Sequence, residues 1–127
     1  MEYVAIVTVL ALVQFVVFSA LVGKERGKHG IKAPAISGHP DFERAFRVQQ
    51  NTMEQLVVFL PALWLFGTYV DARIGAVLGL AFIAGRFIYR ASYLKDPASR
   101  GMGFVIGMAT SMALLAGGLI GAINHVF

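Results

Sequence analysis

The sequence predicts an all-α membrane protein, a bundle of four transmembrane helices in one domain spanning 1–127. Three observations lead there. Hydrophobic residues make up 57% of the chain, charged residues only 14%, and the mean hydropathy is +0.71, a balance suited to lipid rather than to a soluble core. Apolar runs long enough to cross a bilayer recur along the chain, separated by short polar segments. The basic residues are not scattered but flank those runs.

The first span is 3–22, twenty residues without a charge and about 30 Å long as a helix. Glu2 stands where a secretory signal would carry basic residues, and the apolar run exceeds a signal's core, so this span reads as a retained anchor. The second span, 42–70, is polar in its first third and apolar after it. Pro61 removes the bond to the carbonyl of Val57, which predicts a kink. The third span, 74–94, is interrupted by Arg86 and Arg90, and the fourth, 102–123, is uncharged. Gly75 and Gly79, Gly103 and Gly107, and Gly117 and Gly121 are each spaced i, i+4, which permits close helix contact.

The connections are unequal. Residues 23–41 hold Lys24, Arg26, Lys28 and Lys32, and 95–101 hold Lys95 and Arg100, whereas the turn between spans two and three holds only Asp71 and Arg73. Loops one and three are therefore expected on the cytoplasmic side, with both termini opposite. With Arg44, Arg47, Arg86 and Arg90 near the same ends, ten of the eleven basic residues form one electropositive mouth. Anionic headgroups and an anionic ligand explain this placement better than nucleic acid does.

Two polar clusters sit at that mouth. Arg47, Gln49, Asn51 and Glu54 open span two, with Arg47, Asn51 and Glu54 at i, i+4, i+7 on one helical face. Arg86, Tyr89 and Tyr93, at i, i+3, i+7, close span three, and Arg100 follows. Spans two and three run in opposite directions, so both clusters reach one depth. Ionisable groups at membrane depth mark functional sites. Guanidiniums suit carboxylates, and Glu54 suits an ammonium, so a small zwitterionic peptide fits this inventory. No metal is expected, because His29, His39 and His125 have no ligand spacing to one another. A nucleotide is disfavoured by the lack of a phosphate-binding glycine loop. The chain has no cysteine, so any thiol chemistry uses a ligand's thiol. Phe59, Trp64 and Phe87 are suited to face lipid and are assigned to no substrate groove.

Phe42-Glu43-Arg44 with Arg47, Asn51 and Glu54, then Gly85-Arg86, Tyr89, Tyr93 and Arg100, resembles the signature of the membrane-associated proteins in eicosanoid and glutathione metabolism (MAPEG) family. The similarity covers Pro34 through Pro40 and all of spans two and three, about half the chain, while spans one and four match only in length and hydrophobicity. It is nearest to the microsomal glutathione transferase and leukotriene C synthase branches. The resemblance implies a homotrimer with glutathione as co-substrate, held between subunits near the cytosolic surface. It places Arg26, Arg47, Gln49, Asn51, Glu54, Arg86, Tyr89 and Tyr93 in contact with glutathione. It makes Arg100 the thiolate-stabilising arginine, with Tyr93 as a second catalytic candidate. The implied reaction is conjugation to a lipophilic electrophile arriving through the membrane lipids, or reduction of a lipid hydroperoxide. Gln55, Val57, Gly27 and Gly101 stand where specialised branches carry Tyr, Pro, Arg and Ser respectively, which favours a general glutathione transferase. The alternative is a non-enzymatic lipid-binding scaffold of the same fold, which would lack the thiol-activating residues. An unrelated transporter subunit would carry polar groups at mid-membrane.

Overall fold

The computed structural model covers residues 1–127 and consists of four long helices, α1 (Glu2–His29), α2 (Pro40–Tyr69), α3 (Ala72–Lys95) and α4 (Gly101–Val126), with one 3₁₀ turn at Pro97–Ser99. Each boundary has a local cause. α1 ends at Gly30, whose φ of 64° and ψ of 30° close a left-handed cap with its amide bonded to the Arg26 carbonyl. α2 starts with Pro40 in the first turn, after His39 in extended conformation. Asp71 caps α3, its Oδ1 accepting from the amides of Arg73 (2.8 Å) and Ile74 (2.9 Å). α2 continues unbroken through Pro61.

The helices outrun the apolar segments at the basic end, where α1 extends to His29 and α2 begins at Pro40. Only α1, α3 and the stretch Pro97–Val126 are long and apolar enough to cross a membrane. Of the four expected transmembrane spans, the second, 42–70, falls short of that measure, in keeping with its polar first third. α2 packs against all three other helices, so fewer of its side chains need to satisfy lipid, and its first turns are free to be polar. α1 and α4 flank the central pair α2 and α3.

The core is dense along that pair. The Phe59 and Phe82 rings stack with centroids 3.9 Å apart, beside buried Leu56, Leu63, Phe66 and Leu114. Phe59 is thus a core residue and does not face lipid; Trp64 and Phe87 are exposed. Its position on the i, i+3, i+7 row with Leu56, Leu63 and Phe66 explains the difference. Polar ties cross the bundle as well. Gln14 Nε2 donates to the Ile83 carbonyl at 2.9 Å, and Trp64 Nε1 donates to Thr8 Oγ1 at 2.9 Å. The glycine spacing is used as expected where helices meet: a Cβ on Gly103 would lie 2.6 Å from Tyr89 Cα, closer than carbon atoms pack. Gly107, by contrast, would meet nothing nearer than Phe82 at 3.7 Å.

Candidate functional site

α2 runs away from the basic end and α3 returns to it. Arg44 Nη1 fixes that register by donating to the Leu94 carbonyl at 3.1 Å. The antiparallel pairing brings Arg47 and Asn51 of α2 level with Tyr89 and Tyr93 of α3. These four, with Ala98, Arg100, Gly101 and Phe104, line one pocket of about 580 Å³. Five of the residues singled out in the sequence therefore converge: Arg47, Asn51, Tyr89, Tyr93 and Arg100.

Packing positions them. Gly103 lets α4 settle directly on the backbone of Tyr89, which places the first turn of α4 at the pocket wall. The Tyr89 and Tyr93 rings stack with centroids 5.6 Å apart. Tyr89 is buried against Phe18 and Val48, so its phenol is fixed while its edge lines the pocket. Arg100 precedes α4, and its Nη1 donates to the Pro97 carbonyl at 2.6 Å. No side chain caps α4, so the amides of its first turn remain unpaired by the usual N-cap bond. Two guanidiniums and an uncapped helix N-terminus at one pocket make an anion site. Asn51 Oδ1 is buried without a partner, an acceptor left for a ligand's N–H.

The other predicted residues stand elsewhere in this single chain. Arg86 is fully buried (0% exposed) behind Tyr89, its guanidinium 4.3 Å from that ring's centroid. Its one hydrogen bond goes from Nη2 to Thr52 Oγ1 at 2.8 Å, and Nε and Nη1 have no partner. Gln49 turns toward α1, with Nε2 3.4 Å from Ser19 Oγ. Glu54, one turn further along α2 than Asn51, is exposed on the outer face beside exposed Met53, Val57 and Val58. Arg26 lies over the Phe42 ring at 4.7 Å and donates from Nη1 to the Ala35 carbonyl at 2.6 Å, which keeps it with the first loop. Sequence reasoning missed Ala98 and Phe104 as lining residues and Thr52 as the partner of Arg86. The i+4 spacing of Val48 and Thr52 on the buried face was the available signal for Thr52. It also missed that His29 and His39, without ligand spacing in the sequence, stack face to face at 3.6 Å. The first loop folds back and closes that gap.

Comparison with known families settles the lineage. The family model described as "MAPEG family" matches residues 4–120. The chain belongs to the MAPEG family. It is 36% identical to microsomal glutathione S-transferase 2 of Homo sapiens, over 94% of this chain and 82% of that protein. Leukotriene C4 synthase of Cavia porcellus is 31% identical over 95% of this chain and 81% of its own length. The uncharacterized protein sll1147 of Synechocystis is 44% identical over 91% and 85%. Its family membership and its three helices long and apolar enough to cross a membrane make this an integral membrane protein.

Proposed function

We propose that this MAPEG chain is a membrane-bound glutathione transferase that ionises the glutathione thiol in the Arg47–Tyr93–Arg100 pocket and presents it to lipophilic electrophiles. One observation carries the reading: two arginines, two stacked tyrosines, an unpartnered Asn51 Oδ1 and an uncapped helix N-terminus line a single pocket at the basic end of the bundle. The kinship with microsomal glutathione S-transferase 2 and leukotriene C4 synthase supports it.

The donor set fits the tripeptide. Arg47 suits a carboxylate, Asn51 Oδ1 suits a peptide N–H, and Arg100 suits the sulfur. A cysteine thiol ionises near 8.5, so a few per cent is thiolate at neutral pH. Depressing that by two units requires about 2.7 kcal/mol of preference for the anion. A permanently charged guanidinium beside the sulfur, aided by the α4 N-terminus, acts in that direction, and a neighbouring subunit covering the exposed Arg100 would strengthen it. Tyr93 adds an O–H donor. The thiol proton leaves to water at the pocket mouth. The thiolate lone pair then forms the C–S bond as the electrophile's leaving group departs or its strained or conjugated bond opens.

Glu54 supports a trimer in which subunits complete the site. A carboxylate on an apolar outer face is costly unless a neighbour covers it, and a second subunit carrying Arg26 or a bound ammonium would do so. The basic end faces the cytoplasm in this reading, with both termini opposite. Reduction of lipid hydroperoxides is a second use of the same thiolate: it takes the terminal peroxide oxygen and releases the alcohol, and a second glutathione converts the resulting sulfenic acid to disulfide and water.

The test is a thiolate difference spectrum of the detergent-purified protein with glutathione, titrated with pH. Wild type should show thiolate well below the pH at which the free thiol ionises. Arg100→Ala should move that titration back toward the free thiol's, lowering the thiolate fraction at neutral pH by up to about 25-fold if the full two units are lost. No thiolate signal from folded wild type would overturn the transferase reading and leave the lipid-binding scaffold.

A further inference from the structure

We propose that His29, His39 and Asp41, with Glu25 as a fourth ligand, form a binding site for a divalent transition metal ion of the Zn²⁺ type, outside the thiol pocket. Two pairs build it. Glu25 and His29 lie at i, i+4 on the last turns of α1, the helical spacing that puts two ligands on one face. His39 and Asp41 lie at i, i+2, at the N-cap and in the first turn of α2. Nothing in the linear sequence joins the pairs, because loop 30–38 separates them.

The fold joins them closely. One donor atom from each of His29, His39 and Asp41 falls within 4.8 Å of the other two. His29 Nε2 is 3.0 Å from Glu25 Oε2 and 4.0 Å from Asp41 Oδ2. Tetrahedral Zn²⁺ with bonds of about 2.0–2.1 Å holds its ligand atoms roughly 3.3 Å apart. Those three donors are near that spacing, and Glu25, placed against His29, joins by turning its carboxylate from His29 Nε2 to the ion. The imidazole rings are stacked at 3.6 Å with planes 13° apart, so each must swing to aim a lone pair at a common point. His39 Nδ1 accepts from the Asp41 amide at 3.1 Å, and a neutral imidazole has one such lone pair, so coordination takes over the capping role at the start of α2.

The ligand set matches the charge of the ion. Two neutral imidazoles and two carboxylates carry a net charge of −2, which a divalent cation neutralises. The negative end of the α1 dipole adds to this at His29. The mixed nitrogen and oxygen set selects Zn²⁺ over Mg²⁺ or Ca²⁺, which take oxygen. All four side chains lie beyond the apolar spans, accessible from water, and none lines the pocket of Arg47, Tyr93 and Arg100. A bound ion would pin the two ends of the first loop, the segment that holds Arg26 against Phe42.

The experiment uses the full-length, tag-free, chelator-treated protein in detergent. Isothermal titration with ZnCl₂ should give one ion per chain, and Co²⁺ should give the visible absorption bands of a tetrahedral site. Zn²⁺ should raise the melting temperature, reversibly by chelator. His39→Ala and Asp41→Asn should each weaken Zn²⁺ by more than about 100-fold, beyond what outer-shell changes cause. Asp41 is exposed, so its variant reports on binding even where a histidine variant misfolds. His125→Ala, at the opposite end of the bundle, should leave affinity unchanged. The proposal is overturned by an absence of saturable Zn²⁺ binding, by binding that survives a folded His29→Ala/His39→Ala double variant, or by Ca²⁺ competing equally with Zn²⁺.

Discussion

Gly103→Ala is the sharpest test of how the bundle builds its pocket. Gly103 is the third residue of α4, two positions after Gly101 and three after Arg100. A Cβ there would stand 2.6 Å from Tyr89 Cα and 2.8 Å from Tyr89 Cβ. Carbon atoms pack at about 3.5–4.0 Å, so the start of α4 must retreat from α3 by roughly 1 Å. The obstructing atoms are backbone and Cβ and have no rotamer to change. Overpacking of this kind costs about 1–3 kcal/mol. The retreat carries Arg100 and Gly101 away from Tyr89 and Tyr93, across the pocket they share. A misplacement of about 1 Å at a reacting group lowers rate by up to about 100-fold.

Gly107→Ala is the matched control one turn along α4. Its added Cβ would meet Phe82 at 3.7 Å, an ordinary contact, and Ala is favoured over Gly in a helix by about 0.5–1 kcal/mol. Gly107→Ala should therefore melt at or above the wild-type temperature with unchanged turnover. Gly103→Ala should melt lower and lose kcat/KM for glutathione conjugation, with its thiolate titration displaced to higher pH. The assays are thermal unfolding in detergent and conjugation to a chromogenic electrophile. If Gly103→Ala matches Gly107→Ala in both, the seating of α4 on Tyr89 does not set the pocket.

Thr52→Val keeps shape but removes the sole hydrogen-bond partner of buried Arg86, and should cost about 1.5–3 kcal/mol in thermal unfolding. Adding Arg86→Met should recover most of that loss, because an apolar residue replaces an unpaired buried ion at little cost. Asp71→Ala removes two amide bonds at the α2–α3 turn, far from the pocket, and should cost about 0.5–2 kcal/mol without changing KM for glutathione. Tyr93→Phe retains the stack on Tyr89 and deletes one donor, so the acid limb of kcat/KM should move to higher pH by less than in Arg100→Ala. The sign follows from the anion: a group that stabilises thiolate lowers the bound thiol's pKa, and activity is lost as pH falls through that value.

Much of this was legible because depth in a bundle follows from arithmetic along the chain. Each span's length and direction fix how far a residue stands from the basic end. Arg47 and Asn51 could thus be matched to Tyr89, Tyr93 and Arg100 before any packing was known. Azimuth is different. Whether a side chain at the right depth points inward, toward a neighbour or outward depends on which helices abut which. α2 and α3 are each touched by all three other helices, so their surroundings are the hardest to foresee. Gln49 is drawn to Ser19, Glu54 is left outside, and Phe59 goes to the core, all from one helix whose faces the sequence alone could not orient.

Arg86 shows the limit most clearly. Its spacing with Tyr89 and Tyr93 placed it on a shared face, and that much holds, since its guanidinium lies over the Tyr89 ring. A face is about a third of a helix, however, and α4 covers the part nearest Gly85, where an added Cβ would meet Ile106 at 2.8 Å. Arg86 is consequently walled off from the pocket by the phenol it supports. A cation held there with two nitrogens unpaired is a cost to the bundle's stability.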